Sequence, residues 1–189
     1  MKTTDIVRED YYDRSIITSL DDLINSAKRI ESLFRNSREY RNYICSVREG
    51  LGKKNCAYFT DKDFNEATLE LHHIYSLYDI TMLVGTKLLT ELDRDEFLTV
   101  YDVVNGLIQF HMKDYALIIM LSKTVHELYH SGQYELPKDS NELHLGNYTG
   151  FIKEYREYMD KEEVEKLTKL YKYFNVDITE LINEGEIEL

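Results

Sequence analysis

Four of the six histidines fall into two clusters, His72 beside His73 and His126 four residues before His130. A neutral imidazole nitrogen binds divalent transition ions, and the ring gains or loses a proton near neutral pH, so both clusters are candidates for metal ligation or acid–base chemistry. Positions i and i+4 of a helix stack one turn apart on one face, so the spacing in LSKTVHELYHSG aims His126 and His130 at one ion. Adding one ring from the His72–His73 pair gives three nitrogen ligands and an open coordination position, as in catalytic rather than closed structural sites. The reading without chemistry is that both clusters are ordinary surface or packed histidines.

Those side chains must be brought together across a long interval, because His126 lies 53 positions after His73. LELHHI, Leu69–Ile74, alternates as a strand does, setting Leu69, Leu71 and His73 on one face and Glu70, His72 and Ile74 on the other. The adjacent histidines therefore have different jobs. NCAYFT, Asn55–Thr60, reads as its antiparallel mate across the polar loop 61–66. The apolar run 116–121 reads as a buried strand leading into the histidine helix, which Ser131 and Gly132 stop. Helical spacing predicts further helices over 19–36, 37–49, 76–89, 93–110, 148–159 and 161–174, with Leu20 and Ile24 in the apolar stripe of the first, Phe97 and Tyr101 in that of the fourth, and Gly50 and Gly52 ending the second. The loop 133–146 holds the single proline, Pro137; His111 and His144 fall in expected loops and are expected to face solvent. Residues 1–15 are expected to lack order, and the acidic tail 177–189 to add at most one turn. The fold class is therefore α+β and predominantly helical, with a small antiparallel hairpin plus helix embedded among helices. With no repeat or low-complexity linker, a single domain is expected: N-terminal helices over 1–54, a finger over 55–132 with a helical insertion at 76–110, and C-terminal helices over 133–189.

The 189 residues, 43% of them hydrophobic, suffice for a sizeable core. No stretch approaches the roughly 20 apolar residues of a membrane span, and the first residues lack a signal-peptide pattern. Cys45 and Cys56 are too far apart for a C-x-x-C site, so free thiols in a reducing cytoplasm are expected. The net charge of -12 argues against unspecific polyanion binding, whose affinity comes from phosphate contacts. Residues 28–54 run the other way, with eight basic side chains against three acidic ones. That stretch serves either a phosphate backbone or the protein's own carboxylates.

LELHHI followed by ALIIMLSKTVHELYH resembles the HNH endonucleases, also called His-Me-finger or ββα-metal nucleases. Ser122 and Val125 stand where many members carry the cysteines of an extra zinc knuckle, so that knuckle is absent, as in the colicin-type members. The resemblance implies that His72, His126 and His130 bind a divalent ion (zinc, magnesium, manganese or nickel). It also implies that His73 is the general base that activates water against a phosphodiester, in DNA rather than RNA. Two departures stand out: the long insertion after His73, and Leu117 where the family's base-orienting Asn is expected, with Asn105, His111 or Asp114 as substitutes. LYDI after the histidine pair and the GNY-F-x-x-EY run also resemble uncharacterised bacteriophage-encoded proteins, which implies a bacterial host cytoplasm and assigns no particular activity. Two functions follow: a metal-dependent nuclease, or a non-catalytic phage regulatory or assembly protein that keeps the finger as a clip and binds protein partners.

Overall fold

The computed structural model of the chain describes residues 15–59, 68–93 and 97–183. The fold is a predominantly helical α+β arrangement with a two-stranded and a three-stranded antiparallel sheet among the described residues. It forms two compact units, each discontinuous in sequence: the first takes residues 15–40 with 77–93 and 97–109, the second 41–59 and 68–76 with 110–183.

In the first unit, β1 (Ile16–Ile17) precedes α1 (Leu20–Asn36), whose start is fixed by a reciprocal cap. Ser19 Oγ accepts from Asp22 N at 3.2 Å while Asp22 Oδ2 accepts from Thr18 N at 3.0 Å. The Thr18 hydroxyl also donates to Asp22 Oδ2 at 2.7 Å, and this bond, with that from Thr18 N, favours the ionised carboxylate and lowers the Asp22 pKa. The buried stripe Leu23, Ala27, Ile30 and Phe34 packs toward α3 (Leu77–Glu91), where Gly85 leaves room for Leu23. Leu20 and Ile24, part of the predicted apolar stripe, are instead exposed. β3 (Leu98–Thr99) pairs with β1, Ile17 opposite Leu98, and α4 (Val100–Met112) follows. The helix expected from Asp93 thus starts later, because Thr99 caps it: its hydroxyl accepts from Asp102 N at 3.3 Å and donates to Asp102 Oδ2 at 2.6 Å. The expectations for 1–14, for Thr60 and the loop 61–66, for 94–96 and for the tail beyond Asn183 lie outside the described residues; Ser15 is buried, and its carbonyl accepts from Val100 N at 2.7 Å.

The second unit contains the sheet. β2 (Leu69–His73) runs antiparallel to β4 (Ile118–Ser122), with Leu69 opposite Ser122, Leu71 opposite Met120 and His73 opposite Ile118. β4 also pairs with β5 (Leu143–His144), a short strand inside the expected loop, so the order is β2-β4-β5. Every residue of β4 is buried, which makes this continuous apolar run the natural central strand. The predicted hairpin of 55–60 with 68–74 is therefore corrected: β2 takes β4 as its mate. Residues 55–59 form no such strand; Ala57 N donates to Met120 O at 2.9 Å, and Cys56 Sγ accepts from Ser122 N at 3.2 Å.

Ser122 is both the last strand residue and the N-cap of α5 (Lys123–His130), its hydroxyl accepting from Val125 N. Gly132, at φ +73°, ends α5. The helix expected over 37–49 is α2 (Arg38–Cys45) followed by a π-helical turn, Ser46–Gly50. α6 (Tyr148–Tyr155), α7 (Lys161–Tyr173) and a short α8 (Thr179–Asn183) match the remaining expectations. Phe110, Tyr115, Phe151 and Tyr155 stack edge-on and tilted, with centroids 5.3–6.3 Å apart, to form the aromatic heart of this unit.

Gly146 and Gly132 separate two costs of adding a methyl group. Both have positive φ, but a Cβ on Gly132 meets open space while one on Gly146 would lie 2.6 Å from Asp114 O and 2.9 Å from Ala116 O. Gly132→Ala should lower unfolding free energy by about 1 kcal/mol, and Gly146→Ala by roughly 2–4 kcal/mol because backbone must also shift. Urea denaturation of both variants checks the order.

Candidate metal centre

β2, β4 and α5 place the three histidines that the sequence singled out. His72 stands on β2 on the same face as Glu70; β4 delivers the chain to α5, whose one-turn spacing presents His126 and His130. His72 Nδ1 lies 2.9 Å from His126 Nε2, and His130 Nε2 lies 3.0 Å from the same atom. One ligand atom from each ring falls within 4.8 Å of the others. The trio grades from buried His72 (7% exposed) through His126 to exposed His130, so it opens to solvent on one side.

Glu70 decides what these rings can do. Its Oε2 is 2.7 Å from His126 Nδ1, so that nitrogen carries the hydrogen and donates it to the carboxylate. The Nε2 of the neutral ring then presents a lone pair, and one lone pair cannot accept well from two ring nitrogens at once. A cation between the rings would satisfy all three nitrogens together. The carboxylate–histidine pair is also the outer support that holds a ligating imidazole in the right tautomer. The donor set is nitrogen only, which suits zinc or nickel and disfavours magnesium and manganese, whose preferred ligands are oxygens.

His73 is brought to a different place, as the strand alternation predicts. It is 6% exposed, and its Nε2 lies 3.0 Å from Nε2 of His111, itself 2% exposed. Tyr43 meets the His111 ring edge-on at 4.9 Å. The expectation of solvent-facing loop positions for His111 and His144 is corrected. His111 lies on α4 one turn after buried Leu107, so the period of 3.6 carries it inward; His144 is half-buried in β5, its Nε2 2.7 Å from Asp114 Oδ1. Of the substitutes considered for the missing Asn, His111 is the one that meets His73, and Asp114 serves His144. The role of Glu70 was missed at the sequence level, although its place two residues before His72 on one strand face was the available signal.

A protein-family model described as Bacteriophage G278-like virion protein matches residues 1–187. The chain belongs to this family. None of the curated proteins and none of the solved structures compared with the chain matches it. Family membership accords with the resemblance to phage-encoded proteins and carries no nuclease assignment. The histidine geometry of this virion-family chain thus has to be interpreted from its own chemistry.

Glu70→Gln keeps the shape of the carboxylate and removes its charge. It should weaken zinc binding at the trio by about 10–100-fold, read by competition with a chromophoric chelator, and His126→Ala should abolish that binding.

Proposed function

We propose that the chain is a non-catalytic component of the phage particle or of its assembly, acting by protein–protein binding. In this reading β2, β4 and α5 are clipped together by one zinc-type ion on His72, His126 and His130. The observation that carries the non-catalytic reading is the setting of His73. A general base must reach its water directly or through one intervening water. The His73 ring is buried, and its Nε2 is directed at a second buried histidine.

Charge supports the same reading. Basic residues of 28–54 are engaged by the protein's own groups, among them Lys54 with Glu49 at 2.9 Å, Arg48 with Leu69 O at 3.3 Å and Lys53 with Asn141 O at 2.5 Å. The chain as a whole carries -12, which repels a phosphate backbone. Of the six tyrosines whose spacing could stack bases, Tyr40, Tyr43, Tyr155 and Tyr171 are buried, and Tyr158 and Tyr173 are half-buried. Among the described residues no helix is long and apolar enough to cross a membrane; the virion family supports protein partners.

A second reading, an HNH-like nuclease acting on DNA, is favoured by one feature: strand, strand and helix converge on three nitrogens that leave a coordination position open. Plasmid nicking in zinc, nickel, manganese or magnesium separates the two. No cleavage above that of the His126→Ala variant is expected, and robust metal-dependent cleavage lost in His73→Ala would establish the nuclease. As a structural residue, His73 should instead show its loss in stability. His73→Ala should lower unfolding free energy by roughly 2–4 kcal/mol, from a cavity plus the lost bond to His111, with zinc content unchanged by elemental analysis.

A further inference from the structure

A cleft of about 760 Å³ runs from His130 along α7 in the second unit. We propose that it seats a short extended segment of a partner protein, with an acidic side chain of that segment supplying the fourth ligand of the ion. The inference rests on the metal reading above and names the partner chemistry at that site.

Four features fit this occupant. First, the floor is apolar, built from Ile74, Leu136, Leu170 and Phe174, and the volume suits a few side chains rather than a globular face. Second, the aromatic walls are held before any partner arrives. Tyr173 Oη donates to Leu136 O at 2.6 Å, and Tyr134 meets Tyr58 edge-on at 5.1 Å. Rigid tyrosines lose little entropy on contact and are favoured in recognition surfaces.

Third, the charge of the cleft is opposite to that of the chain. Lys166 and Lys169 line it against one lining acid, Glu135, with Lys169 Nζ also 3.9 Å from Glu165 Oε2, and Lys138 Nζ stands 4.3 Å from the Tyr173 ring centroid, while the chain carries -12. Carboxylates are drawn to these lysines on a chain whose net charge otherwise repels them. Burial, with Glu135 and Tyr129 nearby, raises the Tyr173 pKa, so the wall stays neutral. Fourth, the cleft adjoins the trio: His130 lines it, and Tyr129, also lining it, packs edge-on to His72 at 4.9 Å and to His130 at 5.6 Å. Three imidazoles leave a fourth position on a tetrahedral ion, which a carboxylate oxygen can fill. A phosphate-bearing ligand fits less well, because no arginine lines the cleft and Glu135 does.

The test is a titration of the zinc-loaded full chain, followed by amide nitrogen–proton NMR, with acetyl-Glu-Phe-amide and acetyl-Gln-Phe-amide as matched probes and AMP as the phosphate probe. Zinc content is measured on the same sample. Saturable shifts at Gly132, Leu170 and Phe174 are expected, with the Glu probe binding roughly fivefold more tightly than the Gln probe. His130→Ala and zinc removal should each erase that preference, and Leu170→Arg should block both probes. Equal binding of the two probes, shifts confined to other surfaces, no binding, or tighter binding of AMP would overturn the inference. A zinc-free sample after loading would instead overturn the metal reading, whereas a zinc-bearing sample without the preference overturns this inference alone.

Discussion

The pairing of β2 with β4 is the constraint on which the rest of the second unit depends. Two segments separated by α3, β3 and α4 are held in one register, Leu69 opposite Ser122 through His73 opposite Ile118. That register fixes which face of β2 looks toward α5. A slip of one residue would turn Glu70 and His72 away from α5 and put Leu71 and His73 in their place. The two roles of the adjacent histidines therefore come from the pleat and not from any special property of either ring. Ser122 extends the same logic, since as last strand residue and helix cap it sets where the first turn of α5 begins, and so where His126 and His130 stand relative to His72.

Much of this was legible in the sequence because it is local. The one-turn histidine spacing, the alternation of LELHHI, the apolar run of β4 and the Ser-Gly stop after α5 each depend on neighbours within a few residues, and each element formed where it was read. What failed was partner choice. The segment 55–60 lies nearer in sequence to β2 than β4 does, so a hairpin looked economical; β4, buried along its whole length, had the stronger claim on a neighbour. His111 was misread because its helix runs beyond the predicted end at Phe110, taking the ring one turn past Leu107 into the interior. Leu20, Ile24, Phe97 and Tyr101 show the opposite error: apolar spacing pointed inward, yet all four are exposed. The candidate site was legible as a set of three rings; the alternation already set Glu70 on the His72 face, but its bond to His126 spans 56 positions and no local pattern showed it.

Membership of a phage virion family changes the weight of the histidine geometry more than its description. Nitrogen ligands with a carboxylate behind one of them can hold an ion tightly for structural or chemical ends. The difference lies in what stands beside the open position. Here the ring that would serve as base is turned into the interior, and the space next to the exposed ligand is a tyrosine- and lysine-lined cleft.

The helical segment set between β2 and β4 has a consequence for synthesis. The N-terminal strand of the pair leaves the ribosome well before its mate, and at about 5–20 residues per second the delay is a few seconds. During that time β2 has no sheet to join, so the second unit can be completed only late in translation, as a slow, long-range closure. A nascent chain of this kind is exposed to host chaperones and proteases for longer than its modest size suggests.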